Sequence, residues 1–507
     1  MEIFSLLSSY SILHLAFFLF IITITINNLL LKLHRPRLPP GPSCLPIIGN
    51  LHHLKRPLHH TLKSLSQKYG HVISLRFGSR LVVVVSSASA AEECFTKNDV
   101  ILANRPRFLS GKYVLYDSTT LGSSSYGDHW RNLRRITTLH VLSTQRINNL
   151  YSSQIRRDEI MTLVRNLAAG HHHDDDDFSQ VELSSKFYEM TFNNIMKMIS
   201  GENHHHDVEE GKQFRAAVTE FLQDYGPSNV NDFLPILRVV DFGGLKKRIR
   251  NIGEKTDRFL KGVIEEHRRK KKEEGEENMI DHLLTLQQSQ PDCYPDHIIK
   301  GLVLNMFLAG TDTSAVTLEW AMSCLLNHED VMKKAQDEME KHVGQDRLLE
   351  ESDLPKLSYL KNIIYETLRL YTPGPLLLPH LSSDDCTIGG YRVPRDTIVL
   401  TNAWHMNRDP QTWCDATCFK PERFEKEGEL EKLIVFGKGR RACPGEALAL
   451  RTISFTLGIL IQCFDWKRIG DKEIDMREKI GFMLSRLVSL KAMCKPRPLI
   501  VDYLMEK

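Results

Sequence analysis

Paired cysteines are missing from this chain. Its ten cysteines stand at 44, 94, 293, 324, 386, 414, 418, 443, 463 and 494, and no two form a C-x-x-C. That argues against the common zinc-ribbon and redox-pair patterns. It also leaves no compact disulfide framework, so the thiols read as free and the compartment as reducing. Cys414 and Cys418 are spaced to share a helix face, but no second ligand pair accompanies them. Strong charge of one sign is missing too. The formal net charge is +3 with 25% charged residues, and nothing in that balance calls for nucleic acid as a partner. No repeat with a period of 20–50 residues is visible, which excludes a solenoid or propeller. Length alone, 507 residues, suggests two or three domains.

Charge is absent locally at the N-terminus. No Asp, Glu, Lys or Arg occurs from Ile3 to Leu31, and Leu6 to Ile26 is almost wholly apolar. As a helix that core reaches roughly 32 Å, enough for a bilayer interior. A cleaved signal peptide has a basic flank in front and a small-residue cleavage site. Here Glu2 precedes the run and Lys32, Arg35 and Arg37 follow it. The expectation is a retained transmembrane anchor over 1–31, with the remainder of the chain on the cytosolic side. Pro36, Pro39, Pro40, Gly41, Pro42 and Pro46 then make 32–50 a stiff hinge, because proline stops a helix and extends the chain. Residues 51–507 form the body.

In that body, Val72–Leu75 and Leu81–Val85 read as strands. Helical periodicity dominates from about Trp130, with amphipathic segments between Glu182 and Leu284 broken near Gly201 and Gly226-Pro227. A long apolar helix is expected from about Asp296 to Leu326, another ending near Tyr371, and a last one to about Cys463. Short strands are expected at Tyr391–Val393 and Ile398–Leu400. The fold class is mainly α with minor β. Two runs, 171–177 (three His, four Asp) and 204–207 (three His, one Asp), offer imidazoles. Consecutive residues cannot all face one ion, so both read as solvated loop. The basic tract 268–272 is followed by Glu273, Glu274, Glu276 and Glu277 and reads as an exposed helix end.

One cysteine has a telling neighbourhood. Phe436-Gly437-Lys438-Gly439-Arg440-Arg441-Ala442-Cys443-Pro444-Gly445 surrounds Cys443 with glycine and precedes an apolar helix. Such a loop lets a flat ligand approach the backbone, and its N–H groups and helix N-terminus favour a thiolate. A thiolate so placed is a fit axial ligand for haem iron. Ala309-Gly310-Thr311-Asp312-Thr313-Ser314 lies inside the long apolar helix. A threonine there can bond back to the carbonyl four residues earlier and open the helix, and Asp312 with Thr313 could then deliver protons; taken alone, the segment reads first as a threonine capping or packing inside a buried helix. Glu366 and Arg369 share a helix face at i,i+3.

These segments resemble the cytochrome P-450 family, the haem-thiolate monooxygenases. Phe436, Gly439, Arg441, Cys443 and Gly445 fill every fixed position of its haem-binding pattern. The resemblance implies one large haem domain, haem b as cofactor, Cys443 as metal ligand, and electrons from NADPH through a separate reductase. It implies that Phe436 lines the haem and that Trp130, Arg134, Arg441 and His380 meet its propionates. Glu366, Arg369 and Arg423 become a buried ion network behind the cysteine loop, and Lys438 and Arg440 face the reductase. By position, Phe108, Tyr116, Asn305, Met306, Ala309, Leu377, Phe482 and Met483 are expected at the substrate, an apolar pocket with aromatic walls for a flat phenolic compound. Residues 45–54, 95–100, 104–112 and 130–136 resemble the plant isoflavone 2'-hydroxylases within the family. That implies O2-dependent hydroxylation of an isoflavone B ring at the endoplasmic reticulum membrane, in contact with lipid. The alternatives left open are 3'-hydroxylation, lignan oxidation, and a haem-thiolate isomerase or dehydratase. Asp312 and Thr313 weigh against the last.

Overall fold

A computed structural model describes residues 38–169, 178–201, 208–224, 229–234, 236–237, 241–269 and 278–505. The apolar run 1–31, the start of the hinge and both His/Asp runs lie outside them. Eight helices position the site: α1 (Leu58–Tyr69), α2 (Asp128–Ile136), α3 (Ser184–Ser200), α4 (Val208–Asp224), α5 (Asp296–Gly310), α6 (Asp312–Asn327), α7 (Ser358–Leu370) and α8 (Glu446–Cys463). Nine strands accompany them: β1 (Val72–Phe77), β2 (Arg80–Val85), β3 (Ser179–Glu182), β4 (His380–Leu381), β5 (Cys386–Ile388), β6 (Tyr391–Val393), β7 (Ile398–Thr401), β8 (Phe464–Lys467) and β9 (Lys491–Pro496). The largest sheet runs β1-β2-β7-β4. β2 and β7 are parallel with Val82 opposite Ile398, and β4 returns antiparallel with His380 opposite Val399. The other strands form β3-β9-β8 and the β5-β6 hairpin.

The continuous apolar run in β2 marks a strand covered on both faces, and Val82 to Val85 are fully buried. α6 and α8 carry apolar residues almost all round, the signature of interior helices. Both pack with α7 in the largest core cluster. Among the described residues one helix, α8, is long and apolar enough to cross a bilayer, and this core position explains its composition. A second cluster joins α5, α4 and Leu245–Arg269.

The long apolar helix expected from Asp296 is two helices. It breaks at Thr311, whose backbone sits at φ −85°, ψ −75° and whose N–H reaches Phe307 O at a stretched 3.4 Å. All ten cysteines are free.

Candidate functional site

A cavity of about 370 Å³ lies between the α5–α6 junction and the loop that precedes α8. Cys443, Phe436 and Pro444 line one wall, and Ala309, Gly310 and Thr313 line another. The loop is built by local necessity. Gly439 adopts φ 68°, and a Cβ there would stand 2.5 Å from Asp99 Oδ1 and Phe95 O. Only glycine fits such a position. Cys443 N–H donates to Phe436 O at 2.8 Å, and its thiol side is open to the cavity. Burial raises the Cys443 pKa, and the opposing N–H groups of Gly445 and Glu446 and the Arg134 charge do not cancel it. The raised pKa is that of the loop with no metal ion beside the sulfur. Coordination to a metal ion would lower it and favour the thiolate.

The opposite wall is an opened helix. Thr313 Oγ1 donates to Ala309 O at 2.6 Å, and Thr317 Oγ1 to Thr313 O at 2.7 Å. The hydroxyl thus occupies the carbonyl that a continuous helix would use, as the spacing predicted. Behind the break a Cβ on Gly310 would meet Ile195 Cδ1 on α3 at 2.7 Å, so glycine allows close packing of the two helices. Asp312 Oδ2 is buried without a partner, and burial pushes its pKa up to about 6.

One edge of the cavity is cationic. Arg134 donates to Ala442 O at 2.7 Å, and Arg441 donates to Ala103 O at 2.7 Å and Ser124 O at 2.6 Å. The Arg441 guanidinium lies 4.4 Å from the centre of the Trp130 ring. No carboxylate among the described residues pairs with Arg134 or Arg441. Burial and the neighbouring Arg105 and Arg134 charges lower the Arg441 pKa to about 8. An arginine does not readily lose its proton, so the shift marks a cation in want of anions. Two carboxylates at this edge would complete it. A flat slot with apolar faces, one open thiol and two preset guanidiniums fits haem: Cys443 would hold the iron, and Arg134 and Arg441 the propionates.

His380 lines the same cavity. Burial, with Arg105 nearby, lowers its pKa to about 3, and its Nδ1 bonds Leu102 O at 2.7 Å. Arg105 was missed by sequence reasoning. It is 6% exposed, lines the cavity and donates to Leu378 O and Pro379 O. Its only sequence signal was its place in the Asn104–Lys112 segment.

Behind the loop, Arg369 forks onto Glu366 at 2.7 and 2.8 Å, with both side chains fully buried. Arg423 Nε reaches the same carboxylate at 3.2 Å. Arg369 also donates to Asn407 O and Ala416 O at 2.7 Å. The network ties α7 to the chain leading into the cysteine loop. Lys438 donates to Glu431 O, and Arg440 pairs with Asp99.

Of the expected substrate residues, Asn305, Met306, Ala309, Leu377, Phe482 and Met483 line the cavity. Phe108 and Tyr116 do not. Phe108 packs edge-on against Phe233 in a sheet-side core, and Tyr116 donates to Asp257 at 3.0 Å. Asn305 spends its amide on protein, donating to Gly301 O at 2.7 Å and accepting from Gly122 N–H.

The family model for cytochrome P450 matches residues 39–490. An isoflavone 2'-hydroxylase of Glycyrrhiza echinata is 64% identical over 99% of both chains, and one of Medicago truncatula is 61% identical over 97% of both. An isoflavone 3'-hydroxylase of Medicago truncatula is 56% identical, covering 97% of this chain and 99% of its own. A solved zebra fish cytochrome P450 with progesterone superposes at TM-score 0.76 over 87% of this chain and 100% of its own, at 24% identity, which speaks to fold alone. This chain belongs to the cytochrome P450 family and is a haem-thiolate monooxygenase that uses haem b, O2 and electrons from NADPH through a reductase.

Proposed function

We propose that the enzyme hydroxylates the B ring of isoflavones at the 2' position. The observation that carries this is the 64% identity with an isoflavone 2'-hydroxylase across 99% of both chains. The cavity supports it, since Leu377, Phe482 and Met483 give apolar and aromatic surface for a flat phenolic ligand. In the overall reaction one atom of O2 enters the ring and the other leaves as water, with two electrons drawn from NADPH.

When bound, haem supplies the redox chemistry of O2 activation, for which a cysteine thiolate is the ligand that favours O–O cleavage. Cys443 would hold its iron through sulfur, and Trp130, Arg134, Arg441 and Phe436 would hold the cofactor. Asp312 delivers protons: its pKa of about 6 suits exchange near neutral pH. Thr313 gives its own hydrogen to Ala309 O, which leaves its oxygen lone pairs free to accept. The apolar walls keep bulk water away. Residues 1–31 anchor the enzyme in the endoplasmic reticulum membrane, 32–50 act as the hinge, and 51–507 face the cytosol. The apolar run and its basic trailing flank support that arrangement.

Microsomes holding the full chain and a plant reductase are incubated with an isoflavone and NADPH. NADPH-dependent 2'-hydroxylated product is expected. Exclusive 3' product would assign the other regiochemistry, and product formed without NADPH would refute the monooxygenase reading.

A further inference from the structure

Phe482 and Met483 reach the cavity from a narrow loop, and the fastening of that loop is uneven. Its two strands meet at the Glu478–Arg486 bridge, with Lys479 N–H bonded to Ser485 O at 2.8 Å. The returning strand is tied to the interior. Leu484 N–H donates to Pro373 O at 2.9 Å, and its carbonyl accepts from Trp320 Nε1 on α6 at 2.7 Å. Arg486 lies 3.6 Å from Glu319 on the same helix. The outgoing strand lacks this support, for residues 479–481 are exposed.

Glu478 supplies what is missing. Its Oε2 accepts from His59 Nε2 at 2.8 Å and His60 Nε2 at 3.1 Å, both on α1. Its Oε1 accepts from Trp404 Nε1 at 3.0 Å, and Arg408 lies 3.9 Å away. Trp404 also packs on both imidazoles and under the Arg408 guanidinium. Asn402 holds the His59 carbonyl at 3.0 Å. The carboxylate is 12% exposed. A carboxylate this far from water is stable only when fully hydrogen-bonded, and here both oxygens are engaged by two remote segments. Two imidazoles and a carboxylate are also a metal-ligand set. The Arg408 charge beside the same carboxylate and the engagement of both oxygens speak for a hydrogen-bonded clamp instead.

We propose that Glu478 is a positioning residue for the substrate pocket, which clamps the outgoing strand of loop 478–486 to α1 and Trp404 and so sets where Phe482 and Met483 meet the ligand. The inference rests on the isoflavone reading for the identity of that ligand only. E478A, E478Q and W404F are prepared as full chains in microsomes. Ligand affinity is read from the ligand-induced Soret shift, first with an isoflavone and then with a phenyl-substituted imidazole, which occupies the cavity whatever the natural substrate. The reduced carbon monoxide spectrum gives haem content. E478A is expected to keep its haem, weaken both ligands about tenfold, the scale of losing bonds to a charged group, and raise KM far more than it lowers kcat. E478Q, whose amide oxygen still accepts a bond, recovers part of the loss. W404F, which removes one donor and keeps the stacking, shifts the affinities in the same direction by less. Unchanged affinities in E478A overturn the proposal. If E478A loses haem, W404F decides by the same affinities, and no change there overturns it. A wild type that binds the azole but no isoflavone refutes the proposed substrate, while the azole series still judges the clamp.

Discussion

Asp312 shows how one side chain carries both a function and its cost. Burial raises its pKa from the ordinary 3.8 to about 6, so the folded protein binds the proton more tightly than the unfolded chain. The group's contribution to stability is full below about pH 4 and is lost as pH rises through about 6. A shift of two units or so corresponds to at most about 3 kcal/mol. D312N is therefore expected to be more stable than the parent at pH 7 and equal to it near pH 4, by thermal unfolding. It also removes the proton donor, so product per NADPH consumed should fall. Equal stability at both pH values would mean that the carboxyl is hydrated in the fold. Gly374 is a second informative residue. It lines the cavity, and a Cβ there would have its nearest neighbour, Leu377 Cα, at 4.0 Å. G374A is expected to fold normally and to shift the ratio of 2' to 3' product.

Two elements hold the reacting geometry, and each does so through an interrupted or bridged helix. The α5–α6 junction opens because the Thr313 hydroxyl takes the Ala309 carbonyl. T313V keeps the shape of the side chain and loses that bond. It is expected to restore a more regular helix at Thr311, with haem content intact and more reduced oxygen lost as peroxide, measured against product formed. The other element is α7, whose Glu366 and Arg369 lie wholly inside the protein and meet Arg423 from 57 residues further along. Removing one partner of a buried network leaves a stranded charge and costs about 3–5 kcal/mol. E366A is accordingly expected to lose haem, read as haem per mole of folded protein. Full haem content with merely slow turnover would show that the network does not support the cysteine loop.

At the level of the whole molecule, the legible features were those with short-range spacing. The Trp130–Arg134 and Glu366–Arg369 pairs each share a helix face and the Cys443 loop is one contiguous motif, so their members lie together locally, while their roles at a haem came from the family resemblance. β1, β2, β6 and β7 were legible for a similar reason, as short β-rich runs between turns. The break at Thr311 follows from the threonine spacing, while the unbroken apolar run on either side of it reads as one helix. What could not be read is what depends on distant contacts. Phe108 and Tyr116 look like pocket aromatics in sequence, and only their partners Phe233 and Asp257 reveal them as core. The lowered pKa of His380 comes from burial beside Arg105, 275 positions earlier in the chain. Glu478 meets His59 across 419 positions, a contact no local pattern announces.

All of these elements converge on one bond, from the Cys443 sulfur to haem iron. The full chain is purified with its pigment, reduced with dithionite and exposed to carbon monoxide. The expected result is the strongly red-shifted Soret band of thiolate ligation, absent in C443A. A folded, haem-loaded protein whose Soret band stays at the position typical of imidazole or protonated-thiol ligation would contradict it.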